Sequence, residues 1–272
     1  MSPQHQVDRD EAALDIRALT LRFGDLTAVD QITCRVRAGE IFGLLGANGA
    51  GKSTTIKMLT TLLPPTAGTA LVAGFDIRTA PRQVRRRIGY VPQMVSADGA
   101  LTGYENLLLA ARLHGLTGRE QSTRIADALE FMELVPAARR LVRTYSGGMI
   151  RRLELAQEML HRPEVLFLDE PTIGLDPVAR HTVWERLARL NREYHMTILL
   201  TTHDMEEADH LCSDIAILHT GRIAARGLPQ ELKASVSAHA TLDDVFAHYS
   251  SISDRGRLRD TAETRDVAQR LG

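Results

Sequence analysis

The chain has 272 residues, 44% hydrophobic and 25% charged, which excludes a disordered chain and supplies ample material for a core. Its 33 basic and 34 acidic residues give a net charge of −1, without the basic excess of a general nucleic-acid binder. No apolar run approaches the ~20 residues of a membrane span, residues 1–11 lack the apolar centre of a secretory signal, and Cys34 and Cys212 form neither a metal-ligand pattern nor a disulfide framework. The chain therefore reads as soluble and cytosolic. Only Lys52, Lys57 and Lys233 are lysine; the other 30 basic residues are arginine.

In chain order, Leu14 to Phe23 and Ile32 to Val36 alternate apolar and polar residues, the period of half-buried strands. Ile41 to Leu45 is a short apolar run ending at glycine. A helix is predicted from Lys52 to about Thr61, stopped by Pro64-Pro65-Thr66-Ala67-Gly68. Strands follow at Thr69 to Val72 and Ile88 to Val91. Between them, Arg85-Arg86-Arg87 reads as a solvated helix end. From Thr102 to His161 the pattern is mostly helical, and Thr102 and Glu105 have capping-box spacing. Alternation then resumes: strand Val165 to Leu168, helix Pro177 to Glu193, strand Thr197 to Leu200, helix Asp204 to Leu211, strand Ile215 to Leu218. Strands alternating with helices imply a largely parallel sheet, with the helical middle as an insert. From Ser250 onward the chain is polar and charged, the composition of a mobile tail.

Gly46-Ala47-Asn48-Gly49-Ala50-Gly51-Lys52-Ser53 fits the G-x-x-x-x-G-K-[ST] phosphate loop. Glycines let successive backbone N–H groups point at phosphate oxygens. The helix starting at Lys52 adds partial positive charge at its N-terminus. Lys52 supplies a mobile charge for the β- and γ-phosphates, and Ser53 a hydroxyl for Mg²⁺. ATP and Mg²⁺ are therefore the expected ligands, with Thr54 completing the nucleotide-binding set. The scarcity of lysine elsewhere sharpens the match.

Val165-Leu166-Phe167-Leu168 leads into Asp169-Glu170. A continuous apolar run is the mark of a strand buried on both faces, and ligands sit at its C-terminal end. Asp169 is expected to hold Mg²⁺, directly or through water. Glu170 is expected to polarise the attacking water as general base.

Three further segments follow in order: Tyr145-Ser146-Gly147-Gly148-Met149, then Gly174-Leu175-Asp176-Pro177, then Thr201-Thr202-His203-Asp204. With Gln93 after the Ile88 strand, the set resembles the ATP-binding subunit of an ABC transporter, over roughly Leu14 to Leu232. The resemblance implies that Ser146, Gly147 and Gly148 complete the ATP site of a partner subunit. It implies that Gln93 senses Mg²⁺ and contacts the membrane partner, that Asp176 lies in a loop crossing the dimer interface, and that His203 contacts the γ-phosphate. Phe23 stands where the family places an aromatic against adenine. Three residues depart from the common pattern: Tyr145 and Met149 flank the Ser-Gly-Gly core where leucine and glutamine are usual, and Phe23 replaces the more frequent tyrosine.

The resemblance implies an α/β fold: a P-loop (RecA-like) ATPase core at about 12–93 and 161–235, with an N-terminal antiparallel β subdomain. It adds an inserted helical subdomain at about 94–160, a C-terminal extension at 236–249 and the tail at 250–272. It implies an ATP-bound homodimer, peripheral at the cytoplasmic face of the membrane, powering a separate membrane-spanning permease contacted by Gln93 to Leu101, with no nucleic-acid partner. The run from Tyr145 to Asp176 and the segment Thr241 to Phe246 look like drug-resistance and polyketide-antibiotic exporters, with nodulation-factor and polysaccharide exporters as neighbours. The alternative is a non-transport ABC ATPase of DNA repair or translation. The short interval from Lys52 to Ser146 leaves no room for the long coiled coil of the first, and the single cassette does not match the two of the second.

Overall fold

A computed structural model describes residues 12–251. Two strands, β1 (Ala12–Phe23) and β2 (Leu26–Arg37), form an antiparallel hairpin that pairs with β4 (Ala67–Val72) and β5 (Phe75–Asp76) in the order β2-β1-β4-β5. The second sheet contains β3 (Ile41–Leu45), β6 (Ile88–Val91), β7 (Val165–Asp169), β8 (Thr197–Thr202), β9 (Asp214–His219) and β10 (Arg222–Gly227). Its order is β10-β9-β3-β8-β7-β6, parallel throughout except for the β9–β10 pair. The helices are α1 (Lys52–Leu59), α2 (Pro81–Arg87), α3 (Gly103–Leu113), α4 (Gly118–Phe131), α5 (Gly147–Met159), α6 (Pro177–Tyr194), α7 (Met205–Leu211) and α8 (Pro229–Val236). Residues 242–251 form a further helical turn set, α9.

The inner strands β3, β7 and β8 are buried at every position because both faces of the sheet are covered. Alternate residues feed two cores. Leu45, Leu166, Leu168 and Leu200 face one that also takes Leu107, Leu153 and Trp184 from the helices. Phe42, Leu44, Phe167 and Leu199 face the other, which the antiparallel sheet and α1 close with Leu14, Val29 and Ile56. Burying Phe42 or Phe167 contributes roughly 1.5–3 kcal/mol each.

The expected strands and helices are present, with shifted ends. α1 stops at Leu59, with Thr60 as its C-cap. Thr61 takes φ +63°, and the N–H groups of Leu62 and Leu63 turn back to the Lys57 carbonyl before the prolines. The capping box forms as predicted: Thr102 N donates to Glu105 Oε2 at 2.7 Å, and Glu105 N to Thr102 Oγ1 at 3.2 Å. The arginine run ends α2, where Arg85 donates to Thr61 and Arg87 pairs with Glu164. Four elements have no counterpart in the sequence reading: β5, β10, α8 and α9. Ser250 and Ser251, read as the start of the tail, are the last described residues of α9; the remainder of the tail lies outside the described residues.

Candidate functional site

Strand register brings the motif residues together. Leu45 at the end of β3 pairs with Thr202 of β8, and Asp169 at the end of β7 pairs with Thr201. The three strands therefore end side by side, and the segments that follow share one rim: Gly46 to Gly51, then Glu170, then His203.

The phosphate loop joins β3 to α1. Gly51 has φ +105°, and a Cβ there would meet the Ala28 carbonyl oxygen at 2.6 Å, so only glycine fits. The first turn of α1 leaves its N–H groups at Lys52 and Ser53 without intrahelical acceptors, facing the loop. Lys52 is buried. Its Nζ donates to the carbonyls of Gly46 at 2.8 Å and Ala47 at 3.2 Å, and lies 3.1 Å from Glu170 Oε1.

Ser53 Oγ donates to Asp169 Oδ1 at 2.9 Å, and Thr201 Oγ1 donates to the same oxygen at 2.7 Å. Asp169 is buried, so this carboxylate is fixed from two sides. A hydroxyl and a carboxylate oxygen at this separation could hold a hard divalent cation that takes its other ligands from water and phosphate.

Glu170 has φ +52°, an uncommon conformation for a residue with a side chain. Its N–H is held by the Thr201 carbonyl at 3.0 Å and by Thr201 Oγ1 at 3.2 Å. This turn places its buried carboxylate between Lys52 and His203. His203 Nδ1 is 3.2 Å from Glu170 Oε2, but the geometry makes no aligned hydrogen bond, and Oε2 has no other partner. A buried carboxylate oxygen without a donor is costly unless something else binds there.

Ser146, Gly147 and Gly148 sit elsewhere in the chain's own contacts. Ser146 is the N-cap of α5, accepting from Met149 N at 3.3 Å. A Cβ on Gly148 would lie 2.8 Å from Ala179 Cβ, and one on Gly147 3.1 Å from Leu175. No atom of the phosphate loop lies within 4 Å of either position. Asp176 is the N-cap of α6, its Oδ1 accepting from Ala179 N at 3.0 Å. The two helix starts thus pack together, with Ser146, Gly147 and Asp176 all exposed. Gln93 is exposed just beyond β6, and Phe23 is 52% exposed at the end of β1. The unusual Tyr145 belongs to the core: its buried hydroxyl donates to the Ala137 carbonyl at 2.7 Å.

Sequence reasoning missed a network behind His203. Asp204 caps α7 and accepts from Arg180 of α6 at 2.7 Å. Glu207, with its pKa pushed up by burial, accepts from Thr172 Oγ1 at 2.7 Å and from Trp184 Nε1 at 3.0 Å. These contacts tie the helix after His203 to the helix that Asp176 begins. They also missed Thr201, which orients both carboxyl-bearing residues, and Arg151 and Glu154 of α5. The one signal in the sequence for Thr201 was its place at the end of the apolar run Ile198 to Leu200; its position beside the acidic pair comes from the strand order.

The pattern of the family described as "ABC transporter" matches residues 29–173. The daunorubicin/doxorubicin resistance ATP-binding protein of Streptomyces peucetius is 42% identical over 259 residues, 95% of this chain and 74% of the relative. The Nod factor export ATP-binding protein I of Burkholderia orbicola (strain AU 1054) is 45% identical over 221 residues, 81% of this chain and 72% of the relative. A solved ATP-binding subunit of an ABC transporter superposes with TM-score 0.77 at 31% identity, covering 88% of this chain and 99% of the other. With its phosphate loop, acidic strand end and histidine on one rim, this chain belongs to the ABC transporter family, as an ATP-hydrolysing, ATP-binding subunit.

Proposed function

We propose that the chain powers export through a separate membrane subunit by closing as a homodimer around two ATP molecules. The observation that carries the reading is the convergence of Lys52, Glu170 and His203 at one buried carboxylate. When ATP enters, Lys52 exchanges the Gly46 and Ala47 carbonyls and the Glu170 carboxylate for phosphate oxygens. That frees Glu170 to take a proton from the attacking water, with His203 beside it to meet the γ-phosphate. Phe23 offers an exposed aromatic face for adenine. Mg²⁺ fits the oxygen pair of Ser53 and Asp169, with Gln93 as a further contact, and when bound supplies positive charge against the phosphates.

The second half of each site comes from the partner. Ser146 to Gly148 form a helix start with Ser146 and Gly147 exposed, suited to an anion, away from the phosphate loop of their own chain. Asp176 lies against the same patch and so faces the dimer partner. The direction, export of a drug, antibiotic or similar small hydrophobic molecule, is supported by what the two relatives are called.

No helix among the described residues is long and apolar enough to cross a membrane. The membrane subunit meets the stretch Gln93 to Leu101, where Met94 is 82% and Val95 61% exposed. Exposed Met94 and Val95 support a peripheral position at the cytoplasmic face. In its own host it should sediment with membranes. Met94→Asp with Val95→Asp should move most of it to the soluble fraction and leave ATP affinity unchanged. Recovery of the unaltered chain with ribosomes or DNA instead of membranes would favour the non-transport reading.

A further inference from the structure

The segment after β6, residues 92–101, has no regular structure, so its backbone polar groups need partners elsewhere. Side chains of α5 provide them. Arg151 donates through Nη1 to the Pro92 carbonyl at 2.9 Å and through Nη2 to the Gln93 carbonyl at 3.3 Å. Glu154 Oε1 accepts from Ser96 N at 2.5 Å and from Ser96 Oγ at 2.9 Å. One turn on, Glu158 Oε2 accepts from Tyr90 N at 3.0 Å.

Arg151 and Glu154 are also an ion pair, with Nη1 3.0 Å from Oε2. That contact is held by charge, because Oε2 has no aligned donor and the aligned bond of Nη1 goes to Pro92. Both residues are almost fully buried, at 5% and 1% exposure. A buried ion pair adds little stability over apolar side chains of the same volume, so its use here is geometric. On the far side, Asn106 binds Asp98 N at 2.9 Å and the Asp98 carbonyl at 3.0 Å. The loop is therefore pinned at both ends, with the backbone of Gln93 in the first pin and exposed Met94 and Val95 between the pins.

We infer that Arg151 and Glu154 are positioning residues for Gln93: they hold the backbone that carries its amide, and tie it to the helix that starts at Ser146. The inference rests on the proposed role of Gln93 at the ATP site. It goes further by naming what sets the position of that residue and by joining it to the segment proposed to close the partner's site.

The test is a double-mutant cycle on the full chain, with kcat and KM for ATP measured alongside nucleotide affinity by titration. Glu154→Gln keeps its shape and an acceptor for Ser96, but removes the charge opposing Arg151. Its kcat should fall about tenfold, as expected for a small misplacement near the reacting groups. KM and ATP affinity should stay within about twofold, because the phosphate loop is untouched. Gln93→Ala should be impaired by itself, and adding Glu154→Gln to it should cost less than about twofold more. Arg151→Lys, which keeps the charge but cannot span two carbonyls, should repeat the pattern and carries the test if Glu154→Gln fails to fold. Wild-type kcat in Glu154→Gln, or a loss that multiplies in full onto Gln93→Ala, would overturn the inference. Wild-type turnover by Gln93→Ala alone would remove Gln93 from the site and the inference with it. That outcome is read in a variant with α5 unaltered, so the two failures are told apart.

Discussion

Glu170→Gln is expected to bind ATP at least as tightly as the unaltered chain does and to hydrolyse it ~10²–10⁴-fold more slowly, the usual cost of losing a general base. The amide is nearly isosteric, so the left-handed turn at Glu170 and its two bonds from the backbone N–H to Thr201 should persist. An amide oxygen can still accept from Lys52, now 3.1 Å away. What is lost is the proton acceptor and one negative charge beside the incoming phosphates. The second loss favours nucleotide binding, so the variant should accumulate as an ATP-bound dimer. Single-turnover hydrolysis and size-exclusion chromatography with ATP check both parts. Wild-type turnover would take Glu170 out of the catalytic role.

Lys52→Arg should lower nucleotide affinity at least about tenfold, on the order of 1.4 kcal/mol, although the charge is retained. The ammonium of Lys52 occupies a buried position bounded by two loop carbonyls and Glu170, all between 2.8 and 3.2 Å away. A guanidinium is wider, planar and stiff at its end, and cannot take the same three contacts from a compact point. Titration calorimetry gives the answer directly. Unchanged affinity would mean that the loop recognises only a generic cation.

Much of this site was legible in the sequence because its signals are local. The glycine spacing of residues 46 to 51, the apolar run ending in Asp169-Glu170 and the Thr102–Glu105 box are each read within a few residues. The inner strands were legible because both faces are buried, which leaves an uninterrupted apolar run. β10 was not: it is an edge strand, partly exposed along its length, and its arginines and alanines carry no clear period. α8 is short and offers only Pro229 as a start signal.

The residues that orient the site were hidden for a different reason. Glu154 meets Ser96 across 58 residues, Glu207 meets Thr172 across 35, and Thr201 meets Asp169 across 32. Pairings of that range depend on how strands order themselves in the sheet and how helices and loops pack against it, which no local pattern encodes. The left-handed backbone of Glu170 was equally silent, since nothing in the residue type asks for it.

The central claim, that each ATP site is built from two chains, is tested most directly by mixing defects. Lys52→Ala disables the phosphate loop, and Ser146→Arg blocks the α5 start, which circular dichroism can show to remain helical. With one defect on each chain, a heterodimer concentrates both in one site and leaves the other intact. With both defects on one chain paired to an unaltered one, each site inherits a single defect. Purified heterodimers are given a non-hydrolysable ATP analogue, and occluded nucleotide is counted. The account predicts occlusion in the first arrangement and none in the second; equal occlusion in both would show that each chain builds its site alone and would contradict it.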